Sequence, residues 1–249
     1  MILIKSLREI GAMRRAGALV GRFFEEVREV VRPGITTWNL EEFAEAFVAK
    51  HGIRAAFKGY LGYPASLCTS VNEEVVHGIP SRKREIREGD IVSLDFGVVC
   101  DGYYGDAART FGVGEIPESS RRLIETTERS LGRAIEASVP GNRLGDISAS
   151  VQETVEAAGF SVVRDFVGHG IGRTLHEDPQ VPNFGRRGSG PKLVAGMVLA
   201  IEPMVNEGEY PVEVLSDGWT VVTRDRKRSA HVEHMVAITD TGNIILSLP

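Results

Sequence analysis

The sequence predicts an α/β fold in which two helix-helix-strand halves form a pseudo-twofold sandwich. Segments with helical and then strand-like patterning occur twice along the chain. The two copies align when the chain is shifted on itself by 107 residues, the separation of Pro33 from Pro140. The shift superposes the following residues: Pro33-Gly34 on Pro140-Gly141, Gly52 on Gly159, Gly89 on Gly196 and Asp95 on Glu202. An acid in the corresponding strand of each half suggests a site on the pseudo-twofold axis.

This repeat predicts one domain over residues 1–249, with halves of roughly 4–110 and 111–249, because no linker rich in Gly, Ser or Pro divides the chain. The period is too long for a solenoid, whose repeats run about 20 to 50 residues. A chance coincidence among 28 glycines and 11 prolines is the alternative explanation.

In the first half, Ser6 and Glu9 have the spacing of a capping box, which predicts a helix that ends at Pro33-Gly34. A second helix is expected from Thr37 to a glycine cap at Gly52. Its apolar stripe follows the helical period: Leu40, Phe43, Ala44, Phe47 and Val48. Two strand segments follow in the sequence: Ser66–Val76 and Ile91–Phe96.

The second half repeats this plan. Helices are predicted from about Ser119 to Ser138 and from about Leu144 to Ala158, separated by Pro140-Gly141. Strand-like apolar segments then follow around Glu202 and Glu233.

Composition excludes several classes of protein. The chain has 29 basic and 34 acidic residues, and its net charge of −5 is spread along its length, which argues against binding to nucleic acid or anionic lipid. No apolar run approaches the ~20 residues that span a bilayer, so we expect a cytoplasmic protein without a membrane segment. Cys68 and Cys100 form no Cys-x-x-Cys pair and are expected to be reduced.

Five residues form the candidate functional set: Asp95, Asp106, His169, Glu202 and Glu233. A single acid in a strand is more often paired with Arg or caps a turn, and a single His is more often a core residue. Together, four carboxylates and one imidazole in apolar or glycine-framed segments suit divalent Mn, Fe, Co or Zn. Two such ions would neutralise the four negative charges, so a two-metal site is expected.

Eight segments resemble, in order and spacing, those of the methionine aminopeptidases: Val71-Asn-Glu-Glu-Val-Val-His-Gly-Ile-Pro80, Ser93-Leu-Asp-Phe-Gly97, Gly105-Asp-Ala-Ala108, Gly168-His-Gly-Ile-Gly-Arg173, Leu175-His-Glu-Asp-Pro179, Ile201-Glu-Pro-Met204, Asp217-Gly-Trp-Thr-Val221 and Val232-Glu-His234. The resemblance runs from about Ile4 to the C-terminus. The chain lacks the extension and helical insertion of type II enzymes and so resembles type I. This implies the family's pita-bread fold, a sandwich around a mostly antiparallel curved sheet.

The resemblance also implies roles for the five residues. Asp106 and Glu233 would bridge two metal ions, with Asp95 on one ion and His169 and Glu202 on the other. Water shared by such ions becomes hydroxide near neutral pH and is the nucleophile in this family. Glu202 would act as general base and then deliver the proton to the leaving amine.

The family further assigns His77 and His176 to the substrate, one holding the scissile amide and the other donating to the developing oxyanion. An apolar pocket for the methionine side chain would be walled by Tyr60, Tyr63, Cys68, Leu175 and Trp219. Leu61 departs from the family pattern, which often has His there, and Leu175 stands where an aromatic residue is common.

The function implied is removal of N-terminal methionine from peptides and nascent chains when the second residue is small. The resemblance implies a monomer with transient ribosome contact. Two alternatives remain open. A proline-specific peptidase of the same fold usually carries an additional N-terminal domain. An inactive relative that only binds peptides would lack metal ligands, whereas this chain has all five.

Overall fold

Four α-helices and fifteen short β-strands form the protein in a computed structural model that describes residues 1–249. The helices are α1 (Leu7–Val27), α2 (Thr37–His51), α3 (Glu118–Ala137) and α4 (Leu144–Ala157). The strands are β1 (Arg54–Ala55), β2 (Leu67–Val71), β3 (Glu74–Val76), β4 (Ile91–Cys100), β5 (Tyr103–Gly112), β6 (Ser161–Val162), β7 (Gly168–Gly170), β8 (Glu177–Val181), β9 (Val198–Ile201), β10 (Met204–Asn206), β11 (Val212–Val214), β12 (Val221–Thr223), β13 (Ser229–His231), β14 (His234–Ile238) and β15 (Asn243–Ile245).

Helix α1 begins at the predicted capping box but ends earlier than predicted. The Ser6 hydroxyl accepts a hydrogen bond from the Glu9 N–H, and the Glu9 carboxylate accepts one from the Ser6 N–H. The helix ends at Val27, not at Pro33-Gly34. The N–H groups of Val30 and Val31 still bond the carbonyl of Val27 in a short turn. The helix does not continue because Pro33 disfavours the helical conformation at Arg32.

The other helices lie within one residue of the predicted bounds. Helix α2 begins at Thr37, and Gly52 caps its C-terminus in the left-handed conformation at φ 61°. The N–H of Gly52 bonds the carbonyl of Ala49 at 3.2 Å. Only glycine adopts this conformation at low cost, and this is why the sequence marks the helix end so clearly.

The predicted strand Ser66–Val76 is in fact a pair of strands, β2 and β3. Asn72, at φ 56°, turns the chain between them, and asparagine tolerates this left-handed conformation better than most residues. Strands β4 and β5 form a hairpin across Asp101-Gly102.

All strand pairs are antiparallel, in four hydrogen-bonded sheets. The sheets are β1-β4-β2 with β5 on β4, β13-β10-β6, β11-β12-β3 and β15-β14-β9-β7-β8. Helices with antiparallel sheets confirm the predicted α/β (α+β) class. None of the helices is both long and apolar enough to span a bilayer.

Each half has its own hydrophobic core under a pair of helices. In the first core α1 and α2 pack on β4, where the Phe23 ring stacks on Phe96 with centroids 3.9 Å apart. In the second core α3 and α4 cover β9 and β14. Full burial of one such side chain stabilises the fold by about 1.5–3 kcal/mol. A third apolar cluster, which includes Tyr63, Leu175 and Met235, joins the halves.

Helix α1 packs closely against the C-terminal segment at Gly17. This close packing predicts how a larger side chain there changes the free energy of unfolding. A Cβ at Gly17 would overlap the carbonyl of Leu246, whereas a Cβ at Gly11 of the same helix would meet nothing within 4 Å. Gly17→Ala is therefore expected to lower the free energy of unfolding by about 1–3 kcal/mol through overpacking. Gly11→Ala is the matched control and should raise it by up to about 1 kcal/mol through helix propensity. Denaturant unfolding of the two variants measures the difference. Equal stability of the two would contradict the close approach.

Candidate active site

One cavity of about 210 Å³ is lined by every site residue that the sequence predicted. They are Tyr60, Tyr63, Cys68, His77, Asp95, Asp106, His169, Leu175, His176, Glu202, Trp219 and Glu233. The structure thus brings together residues from both halves of the chain. Their chemical roles stay predictions, and the geometry below shows what each side chain can do.

Asp95 and Asp106 come from the hairpin of the first half. In the ladder between β4 and β5, Asp95 lies opposite Ala108 and Asp106 lies opposite Gly97. Residues two apart in a strand point to the same face, so both carboxylates face the cavity. A Cβ at Gly97 would lie 2.8 Å from the Phe57 ring, so glycine is required where the sheet packs beside the acids.

The apolar flanks of Glu202 and Glu233 predicted that both residues lie inside strands, but neither does. Glu202 lies between β9 and β10, and Glu233 lies between β13 and β14. The reason at Glu202 is Pro203, which has no N–H to give to a ladder. At Glu233 the backbone bonds across to the first half instead. Its N–H donates to the carbonyl of Ala108 at 2.9 Å, and its carbonyl accepts from Arg109 at 2.9 Å.

His169 lies in β7 between two glycines, with its ring orientation fixed. Nδ1 donates to the carbonyl of Gly170 at 2.9 Å, so Nε2 carries the lone pair. Nε2 lies 3.5 Å from Oε1 of Glu202. A Cβ at Gly170 would overlap the carbonyl of Asp178, and a Cβ at Gly168 would overlap that of Ala200, so this close strand packing requires the glycines.

The four acids lack a compensating positive charge inside the cavity. Burial raises the pKa of all four, and neighbouring acids raise the pKa of Asp95, Asp106 and Glu233 further. One oxygen of each of these three has no hydrogen-bond partner: Asp95 Oδ1, Asp106 Oδ1 and Glu233 Oε1. Buried carboxylates in this state require a bound cation or a proton.

The donor set is suited to divalent metal ions. Ligand atoms of Asp106, His169 and Glu233 all lie within 4.8 Å of one another. Glu202 joins them through its contact with His169. Hard carboxylate oxygens with one imidazole nitrogen and no thiolate suit Mn, Fe, Co or Zn bound for catalysis, not a structural zinc site.

The two other predicted histidines flank this set. The His176 ring lies 4.3 Å from that of His169, and its Nδ1 contacts the Tyr60 hydroxyl at 2.7 Å. His77 lies edge-on to Trp219, and burial lowers its pKa to about 4. Burial lowers the pKa of His176 as well. Both imidazoles are therefore neutral at pH 7, and each offers one N–H donor.

The cavity wall beyond the acids is apolar and rigid. The Tyr63 hydroxyl donates to the carbonyl of Gly78 at 2.9 Å, and the ring meets Trp219 edge-on with centroids 5.1 Å apart. Cys68 pairs with Asp95 in the β2–β4 ladder and is a free thiol, as expected. Leu175 is buried, while Leu61 is 81% exposed at the mouth. Such a wall of aromatic rings offers contacts to an apolar side chain.

Several residues of the site could not be predicted from the sequence. The cavity also contains Phe57, Val76, Phe166, Val167 and Met204, which carry no chemical signal in the sequence. His231 was missed as well. It is buried behind Glu202, with Nε2 3.5 Å from Oε2 of that residue. The sequence around it, Ala230-His-Val-Glu-His234, gives no means to tell which His faces the acids.

Comparison with known proteins gives consistent matches. The model of metallopeptidase family M24 matches residues 11–240. A methionine aminopeptidase of Clostridium perfringens is 58% identical over 248 residues, which are 100% of this chain and 99% of the relative. The crystal structure of a methionine aminopeptidase from Thermotoga maritima superposes with a TM-score of 0.98 at 51% identity, over 100% of both chains.

The crystal structure of a prolidase from Pyrococcus horikoshii is similar only in fold. It superposes with a TM-score of 0.78 at 22% identity and covers 99% of this chain and 64% of the prolidase. These matches confirm the pita-bread fold and the resemblance seen in the sequence motifs. The chain therefore belongs to metallopeptidase family M24, among its methionine aminopeptidases.

Proposed function

We propose that the protein hydrolyses the N-terminal methionine from peptides and nascent proteins whose second residue is small. The observation that carries this proposal is a small apolar cavity that leads directly to four acids, three of which have an oxygen without a hydrogen-bond partner. An apolar side chain can enter the cavity while its peptide bond lies at the acids.

We propose that Asp95, Asp106, His169, Glu202 and Glu233 hold two divalent cations, of Mn, Fe, Co or Zn. M24 metallopeptidases are metal-dependent, and the raised pKa values of the acids indicate that this set of side chains lacks positive charge. When bound, such cations acidify a water molecule and polarise the scissile carbonyl. Two divalent ions would balance the four carboxylates.

The protein's own groups then direct proton transfer. Burial raises the pKa of Glu202, so its carboxylate can take the proton of the attacking water and deliver it to the leaving amine. His77 and His176 would each give an N–H, one to the scissile amide and one to the developing oxyanion. The Tyr60 hydroxyl holds His176 through Nδ1, which leaves Nε2 for the substrate.

We propose a single catalytic domain over residues 1–249, whose halves of roughly 4–110 and 111–249 meet at the site. We also propose a cytoplasmic monomer that meets nascent chains in transient contact with the ribosome. Sedimentation of the purified protein at several concentrations, alone and with ribosomes, tests the last two.

Substrate selectivity gives the direct test. Met-Ala-Ser should be cleaved about 5- to 150-fold more efficiently than Leu-Ala-Ser, because a misfit of this size changes transition-state binding by about 1–3 kcal/mol. Met-Leu-Ser should be a poor substrate and Leu-Pro should not be cleaved. Released amino acids are measured by chromatography. Preferred cleavage of Leu-Pro would instead identify a proline-specific peptidase.

A further inference from the structure

His231 is a buried polar side chain that the proposed chemistry leaves unused. It ends β13 with 1% of its surface exposed, and it does not line the cavity. Its Nε2 atom has no hydrogen-bond partner. A buried N–H without an acceptor costs about 1–3 kcal/mol, so a partner is expected for this atom.

The backbone of His231 is held firmly. Its N–H donates to Thr110 Oγ1 at 3.0 Å and also contacts Ser93 Oγ, and its carbonyl accepts from Thr110 Oγ1 at 2.7 Å. The two hydroxyls contact each other at 2.8 Å. This network ties β13 to the β4–β5 hairpin, so the imidazole has a fixed place relative to Asp95 and Asp106.

His231 and His169 lie near different oxygens of the Glu202 carboxylate. Nε2 of His231 lies 3.5 Å from Oε2 of Glu202, and Nε2 of His169 lies 3.5 Å from Oε1. The two nitrogens differ in what they offer. Nδ1 of His169 donates to a carbonyl, so its Nε2 has a lone pair. Nε2 of His231 has no such restriction and can carry the proton.

We propose that His231 is a positioning residue that donates from Nε2 to Oε2 of Glu202 and so turns Oε1 toward the cation site. This inference rests on the proposed function. A carboxylate held by one oxygen loses rotational freedom, and its other oxygen stays directed toward His169. Outer hydrogen bonds to ligating groups typically change metal affinity by about 10- to 100-fold.

The test compares two amide variants in the full-length protein. In His231→Gln the amide nitrogen reaches about the place of Nε2 and keeps the donor, whereas in His231→Asn the shorter side chain cannot reach Glu202. Protein stripped with chelator is titrated with Mn²⁺ by calorimetry. We expect His231→Gln to bind within about threefold of wild type and His231→Asn to bind about 10- to 100-fold more weakly, with a parallel loss of kcat. Melting of the stripped proteins checks the fold.

A double variant separates a positioning role from general damage. In a Glu202→Ala background, which removes the acceptor of the proposed hydrogen bond, His231→Asn should weaken Mn²⁺ binding no further. His231→Leu replaces His231→Asn should the latter fail to fold, with the same expectation. Equal Mn²⁺ affinity in wild type and His231→Asn, or equal losses in His231→Gln and His231→Asn, would overturn the inference. A wild-type protein that binds no Mn²⁺ would overturn the proposed function itself.

Discussion

Glu202→Gln is expected to lower kcat for Met-Ala-Ser by at least about 100-fold and to leave the fold intact. No other single substitution is expected to have a larger effect. Glutamine has nearly the same shape, but its amide cannot take and return a proton. General acid-base catalysis typically contributes about 10²- to 10⁴-fold to a rate. The residue also lies 3.5 Å from His169, so the loss of its charge weakens the cation site as well.

The measurement is initial-rate kinetics with circular dichroism on the same samples. Glu153→Gln is the matched control, because Glu153 is exposed on α4 and pairs only with Arg187. It should retain wild-type kcat. If Glu202→Gln turned over within about threefold of wild type, Glu202 would have no part in proton transfer.

Removal of divalent cations is expected to abolish turnover and lower the melting temperature. Burial, and after it the neighbouring acids, raise the pKa of Asp95, Asp106 and Glu233, so the ionised carboxylates are unfavourable when no cation is bound. Because cations bind only the folded site, saturation at 100 times Kd adds about 2.7 kcal/mol to the free energy of unfolding. Addition of Mn²⁺ or Co²⁺ should restore both activity and melting temperature.

Two aspartate variants complete this experiment. Asp106→Asn should remove most of the stabilisation by Mn²⁺, because Asp106 belongs to the group whose ligand atoms lie within 4.8 Å of one another. Asp240→Asn, at an exposed position, should respond as wild type does. Activity that survives chelation unchanged would defeat the metal assignment.

The helices were predictable because their signals are local, and the cavity residues were predictable because eight motifs resemble those of a known family. Ser6 and Glu9 cap each other within one turn, and Gly52 marks a helix end through its own conformation. The end of α1 was not predictable in this way. The helix unwinds in a turn several residues ahead of Pro33, and no residue type in Arg28–Val31 marks that position in the sequence.

The positions of the four acids relative to the strands could be predicted only in part from the sequence. Asp95 and Asp106 follow from a hairpin with a regular register. Glu202 and Glu233 lie in breaks between strands, and the position of the second break is set by bonds to Ala108 and Arg109 in the other half. His231 could not be singled out because its partner Glu202 is known only once the two segments are brought together.

The small volume of the cavity bears on which peptide bonds this hydrolase can cleave. At about 210 Å³ it is smaller than the ≈300–1,000 Å³ typical of small-molecule pockets, so we expect it to admit one terminal side chain but not a polypeptide that continues in both directions. Internal peptide bonds of other proteins, and of neighbouring copies of the enzyme, are therefore not expected to reach the acids. Protection against indiscriminate or self-directed digestion would then follow from the dimensions of the cavity, without an inhibitory segment.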